Sequence, residues 1–220
     1  VSTIADNLAR LNAQIAAAAE RVGRRADEIT LVAVTKKQSA ATVAEALAAG
    51  AGDVGENYVQ ETAEKQAEVT GGRWHLLGHL QTNKAKLAVS LFELIQSVDS
   101  IKLAQALGRH AQAANTVQAV LLQVHLGDEA TKTGVSPGQA RDIAAEIAAM
   151  EGIALRGLMG IAPFGVDPRP HFRDLGRLFE ALPPENRHVL SMGMSGDFEA
   201  AIEEGTTMVR IGTAIFGART

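Results

Sequence analysis

The stretch ITLVAVTK (residues 29–36) is a β-branched run that is apolar at successive positions, not at every second one. A strand with that pattern must be covered on both faces, as strands in parallel sheets flanked by helices are. Upstream, Ile4, Leu8, Leu11, Ile15 and Val22 recur at helical steps on one face. Thr3 with Asp6 three residues later has the spacing of a helix-starting capping box. Downstream, Ser39 is a good N-cap for an Ala-rich helix that stops at Gly50 and Gly52. The run is therefore a strand between two helices.

The same alternation continues to the C-terminus. Further strands are expected over 52–58, 74–80, 91–99, 116–126, 154–162, 188–194 and 207–217, with helical stretches between them. One such helix starts at Ser136-Pro137 and ends before Gly152. Repeats of about 20 to 35 residues leave room for a parallel crossover after every strand. Eight βα repeats in one domain over 1–220 predict a single (β/α)8 TIM barrel with an additional N-terminal helix. An open doubly wound sheet competes, but eight strands are many for it and no G-x-G-x-x-G follows the first strand.

Composition narrows the function classes. Twenty-one Lys and Arg against 25 Asp and Glu give a net charge of −4, so no basic surface for nucleic acid or membrane is expected. With no cysteine, thiolate metal sites, thiol nucleophiles and disulfides are excluded. No apolar stretch approaches the ~18 to 20 residues of a membrane span, and the N-terminus is unlike a signal peptide. A cytoplasmic α/β protein is expected.

In such barrels the chemistry gathers at the C-terminal ends of the strands. Strand one ends in Thr35-Lys36-Lys37, strand two in Glu56-Asn57-Tyr58, and strand three in Gly78-His79-Leu80-Gln81. A lysine closing an apolar strand is either a desolvated amine ready for imine formation or a snorkelling surface residue. Only one of Lys36 and Lys37 can enter the mouth if the strand persists, because neighbours point to opposite faces. The loops after strands seven and eight carry Ser195-Gly196-Asp197 and Arg210-Ile211-Gly212-Thr213. These offer amides and hydroxyls where barrels often hold a phosphate, although each alone also fits an ordinary turn. An amine facing a phosphate cradle admits two chemistries: pyridoxal 5′-phosphate, or a class I aldolase working through a Schiff base. His75 and His79 would lie roughly 13 Å apart along a strand, too far to share a metal. His125 near Asp128 and Glu129 reads as a solvated loop, so no metal site is expected. Trp74 reads as core.

LVAVTKK (31–37), VGENYVQE (54–61), WHLLGHLQTNK (74–84) and SVDS (97–100) resemble the pyridoxal phosphate homeostasis proteins. LLQVHLGDEATKTG (121–134), LRGLMGIAP (155–163), LSMGMSGDFEAAIEEG (190–205) and TMVRIGTAIFGAR (207–219) continue that resemblance to the C-terminus. It implies a barrel similar to the N-terminal domain of alanine racemase, holding pyridoxal phosphate covalently without established turnover. By the same resemblance Lys36 is the aldimine lysine, Ser195, Gly212 and Thr213 form the phosphate cradle, Asn57 lies near the cofactor ring, and Arg210 faces the pyridine nitrogen. An arginine there disfavours ring protonation, because two adjacent cations repel, and so weakens the ring as an electron sink. Gln96 stands where the family often has His, Thr35 where it often has Ser, and Gly127 where it often has Ser. None of these departures is expected to touch the lysine, Arg210 or the phosphate motifs.

The function expected is an intracellular carrier and buffer of pyridoxal phosphate in vitamin B6 homeostasis, acting as a monomer, with pyridoxal-phosphate-dependent apo-enzymes as recipients. A fold-type III amino-acid racemase is the first alternative; such enzymes use a second, β-rich domain, for which 220 residues leave no room. An aldolase is the second, and Glu56 is the one plausible carboxylate on a strand beside its lysine.

Overall fold

The computed structural model describes residues 2–127 and 133–217, so Asp128 and Glu129 lie outside the described residues. Eight parallel strands close into a barrel in sequence order. They are β1 (Thr30–Val34), β2 (Asp53–Glu56), β3 (Arg73–Leu76), β4 (Leu94–Val98), β5 (Gln118–His125), β6 (Ile153–Ile161), β7 (Val189–Ser191) and β8 (Met208–Ile211). The helices are α1 (Ile4–Glu20), α2 (Ala40–Ala48), α3 (Val59–Gln66), α4 (Ala85–Leu91), α5 (Ile101–Ala113), α6 (Pro137–Ala148), α7 (Arg169–Glu180), α8 (Phe198–Glu203) and α9 (Thr213–Phe216). The expected (β/α)8 barrel with an extra N-terminal helix is what the chain forms. The open sheet is ruled out by β8 pairing with β1, from Thr30↔Met208 to Ala33↔Ile211.

Seven of the eight expected strands are shorter than the runs that suggested them, and two of these show why. Over 91–99 the strand begins at Leu94, because Leu91 ends α4 and Phe92 caps it. Over 207–217 it stops at Ile211, and Thr213–Phe216 turns into α9. Apolar runs do not distinguish a strand from a short buried helix, which is why the boundary was missed.

The core has three parts. The largest lies between barrel and outer helices and includes Leu76, Ile95, Leu107, Leu122, Ile147 and Phe172, with Trp74 buried as expected. A second joins α1 to α8 and α9: Leu8, Leu11 and Ile15 pack with Phe198, Ile202 and Ile215. The Thr3–Asp6 capping box starts α1 as its sequence suggested, while Val22 falls beyond the helix end and is exposed. The third fills the barrel with Val32, Leu94, Leu121, Met159 and Met208. Strand periodicity of two carries that inner face upward from Val32 to Val34 and from Met208 to Arg210.

A bulge shapes the wall opposite. The β5–β6 register moves from Val120↔Leu155 to Leu121↔Gly157, leaving Arg156 as the extra residue. Gly157 has φ +146, and a β-carbon there would run into the Val189 carbonyl oxygen of β7. Gly157→Ala should therefore destabilise the barrel by about 3 kcal/mol, read as a lower urea midpoint. A loss under ~1 kcal/mol would show that the bulge relaxes freely.

Candidate functional site

A cavity of about 270 Å³ opens at the C-terminal ends of the strands. Lys36, Asn57, Ser195, Arg210, Gly212 and Thr213 all line it, together with apolar Val34, Leu77, Met159 and Ile161. These polar residues come from β1, β2, β7 and β8 or the loops that follow them, so strand closure is what gathers them. Lys37 is exposed, with φ +63, and its amide is held by Glu61, so only Lys36 of the pair enters the mouth. Asn57 is pressed from behind: a β-carbon at Gly78 would overlap its carbonyl oxygen.

The loop after β7 is folded for close approach. Met194 N–H donates to Asp197 Oδ1 at 2.6 Å, and Phe198 N–H donates to the Met194 carbonyl at 2.9 Å. Asp197 thus closes the turn, while the amides of Ser195 and Gly196 have no acceptor among the described residues. The first amides of α9, beginning at Thr213, also have no intrahelical partner. Unpaired amides on two adjacent loops, beside a lysine and an arginine, form a set of donors suited to an anion. The cavity is near the lower end of the roughly 300–1,000 Å³ typical of small-ligand sites. Its residues therefore fit a compact, phosphate-bearing group with a carbonyl that an amine can reach.

Behind the Lys36 loop, outside the barrel wall, lies a buried polar knot. Lys65 Nζ of α3 donates to Glu56 Oε1 at 2.6 Å, to Glu61 Oε1 at 2.7 Å and to the Thr35 carbonyl at 2.7 Å. Thr35 Oγ1 donates to the same Glu56 oxygen at 2.6 Å. Burial pushes the Glu56 carboxyl up, against the pull of Lys65 and Thr35, and its Oε2 has no partner among the described residues. Glu56 does not line the cavity. The carboxylate expected to serve an aldolase is instead committed to holding Thr35, the neighbour of Lys36.

The barrel interior supplies what sequence reasoning missed. Arg210 is 4% exposed, and burial pulls its guanidinium down to about 10, still protonated at neutral pH. Its Nη1 donates to Ser191 Oγ at 2.6 Å and its Nη2 to the Gly160 carbonyl at 2.9 Å. Ser191 in turn bonds Gln96 Oε1 at 2.6 Å, Gln96 Nε2 meets His75 Nδ1 at 2.9 Å, and His75 Nε2 meets Asp53 Oδ1 at 2.9 Å. Gln96, expected to lie apart from the arginine, is one hydroxyl away from it. The signal was present: these polar residues sit at inward strand positions, mostly between apolar neighbours. His75 is thus a partner of Asp53, and His79 bonds Asp99 at 3.0 Å; no cluster of metal-ligating side chains occurs among the described residues.

The family described as "Alanine racemase, N-terminal domain" matches residues 7–220. The chain is 42% identical to a pyridoxal phosphate homeostasis protein of Escherichia coli K12, over its whole length and 98% of the relative's. It is 43% identical to one from Pseudomonas aeruginosa, over all of this chain and 97% of that one. Among solved structures, PipY of Synechococcus elongatus with PLP bound superposes with a TM-score of 0.84 at 37% identity, covering 98% of this chain and 100% of that one.

Two outcomes test the site's supports. Lys65→Met should cost about 3–5 kcal/mol in urea unfolding, because it leaves Glu56 as a buried charge without its cation. Burial pushes Asp53 up, but hydrogen bonds from His75 and Arg73 outweigh it and hold the carboxyl below its ordinary range. Its stabilising contribution is complete above the ordinary Asp value of ~3.9 and fades as pH falls through the lower folded value. The stability gap between wild type and Asp53→Asn should therefore narrow in acid below about pH 4; a gap that stays constant would contradict the depressed carboxyl.

Proposed function

The chain belongs to the pyridoxal phosphate homeostasis proteins, and on that premise we propose that it holds pyridoxal 5′-phosphate covalently at Lys36 and serves as its carrier and buffer. The observation that carries this reading is the single cavity onto which Lys36, Arg210 and the open amides of two loops converge. Pyridoxal phosphate, when bound, supplies an aldehyde, a pyridine nitrogen and a phosphate. In the proposed arrangement Lys36 presents its amine to the aldehyde, as the half-buried end of β1 favours. Ser195, Gly212 and Thr213 cradle the phosphate through amides and hydroxyls. Asn57, braced by Gly78, sits beside the ring. Arg210 donates to the ring nitrogen and, being cationic itself, keeps that nitrogen unprotonated.

That last assignment separates carrier from catalyst. A ring without its proton is a poor electron sink, so carbanion chemistry at a bound amino acid gains little. The reading accordingly takes storage and delivery in vitamin B6 homeostasis as the role, in the cytoplasm, with a monomer as the working unit. No helix among the described residues is long and apolar enough to cross a membrane. Recipients are proposed to be pyridoxal-phosphate-dependent apo-enzymes. Beside the cavity, a groove of about 930 Å³ shares Ile161, Met194, Ser195 and Gly196 with it and gives the cofactor an open side.

The decisive experiment records the visible spectrum of purified protein before and after borohydride, for wild type and Lys36→Ala. Wild type should be coloured, lose that colour on reduction and retain a mass adduct on Lys36; Lys36→Ala should show none of these. A wild type that neither takes up added pyridoxal phosphate nor is modified at Lys36 would overturn the reading. Arg210→Glu should alter the absorption of bound cofactor and raise its transamination with amino acids, whereas unchanged values would remove Arg210 from the ring nitrogen.

A further inference from the structure

The hydrogen bonds inside the barrel form a chain that runs in one direction from Arg210 to Asp53. Arginine can only donate, so Ser191 Oγ accepts from Arg210, and it sends its own hydrogen onward to Gln96 Oε1. With the carbonyl end of Gln96 turned to Ser191, its amide end faces His75, and Nδ1 accepts. The imidazole then carries its hydrogen on Nε2 and donates it to Asp53 Oδ1. Asp53 can only accept, and Arg73 completes its shell at 2.9 and 2.6 Å. Asp53, His75, Gln96, Ser191 and Arg210 are each no more than 5% exposed. They come from five different strands and run from the N-terminal end of the barrel to the cavity at its mouth.

We propose that His75, Gln96 and Ser191 are positioning residues that fix the Arg210 guanidinium against the cofactor ring, through a one-way hydrogen-bond relay anchored on Asp53. This rests on the pyridoxal phosphate reading of the cavity and extends it from the residues that touch the ligand to those that aim one of them. Gly160 holds one guanidinium nitrogen through a rigid carbonyl; Ser191 holds the other through a hydroxyl that could rotate. Gln96 removes that freedom, because its carbonyl claims the serine hydrogen at 2.6 Å and leaves only the lone pairs for Arg210. Gln96 is itself pinned by the imidazole, and its Nε2 also lies 3.1 Å from Met208 Sδ. Reversing one dipole alone would set two donors or two acceptors face to face among buried side chains, so the orientations stand or fall together.

Two measurements test this, one of them without cofactor. In the cofactor-free protein, ¹⁵N spectra of the histidine rings should show His75 as a single tautomer, protonated at Nε2 and bare at Nδ1. Gln96→Leu withdraws the donor to Nδ1 and should shift that nitrogen's resonance, and Ser191→Ala should move it through Gln96. In the loaded protein, Ser191→Ala should shift the absorption maximum of bound pyridoxal phosphate and loosen it roughly tenfold, as expected for one lost hydrogen bond to a charged group. Ser191→Thr, which keeps the hydroxyl, should restore the wild-type spectrum. Ser191→Ala involves a small side chain and should fold even if Gln96→Leu does not. A Ser191→Ala protein with wild-type absorption and affinity overturns the relay while leaving the cofactor site intact, as does a His75 protonated at Nδ1. A wild type that binds no pyridoxal phosphate overturns the site reading and the relay with it.

Discussion

Pairing of β8 with β1 is the constraint on which the rest of this molecule depends. It joins residues about 180 positions apart and sets Val32 beside Arg210. Two positions further along the same inner faces come Val34 and Gly212, and then Lys36. A lysine from the start of the chain and an arginine from its end thereby line one cavity. Without closure neither terminus of the sheet would hold a site, and each edge would expose unpaired backbone. The barrel's architecture and its chemistry are one fact seen at different heights.

The cavity's two cationic contributors are supported by buried polar groups, on opposite sides of the wall. Outside it, Lys65 collects Glu56, Glu61 and the Thr35 carbonyl, and so fixes the residue before Lys36. Inside it, Ser191 and Gly160 hold Arg210. Neither cluster is an economical source of stability, since taking charges out of water costs several kcal/mol per ion. Each makes sense as a device for precision, placing a flexible cationic side chain within an apolar frame. The pull of Arg210 down to about 10 marks the strength of that desolvation; its two fixed acceptors keep the charge tolerable.

The strand-and-helix alternation was legible because repeats such as 29–36 and 116–126 are long, apolar and separated by clear caps. The cavity residues were legible too, as polar and glycine-rich motifs at strand ends. Strand ends themselves were not: 207–217 is a largely apolar run, and only the tertiary position of Thr213–Phe216 makes its second half helical. The inner polar chain was missed for another reason. Along the sequence His75 reads as a metal candidate to be tested and Gln96 as a remote difference. Their meaning lies across strands, at inward positions of β3 and β4 that meet only when the barrel closes.

Docking of α1 on α8 and α9 has a consequence in time. The helix is synthesised well before its partners Phe198, Ile202 and Ile215. At roughly 5–20 residues per second the apolar stripe of Leu8, Leu11 and Ile15 waits about 10 to 40 s for its cover. The Asn7 side chain, which bonds the Ile215 carbonyl at 2.8 Å, joins the two ends only then. The loops proposed to receive a phosphate consequently gain this support only after the rest of the barrel has been made. Synthesis must therefore pass α9 before the cavity can compete for free cofactor.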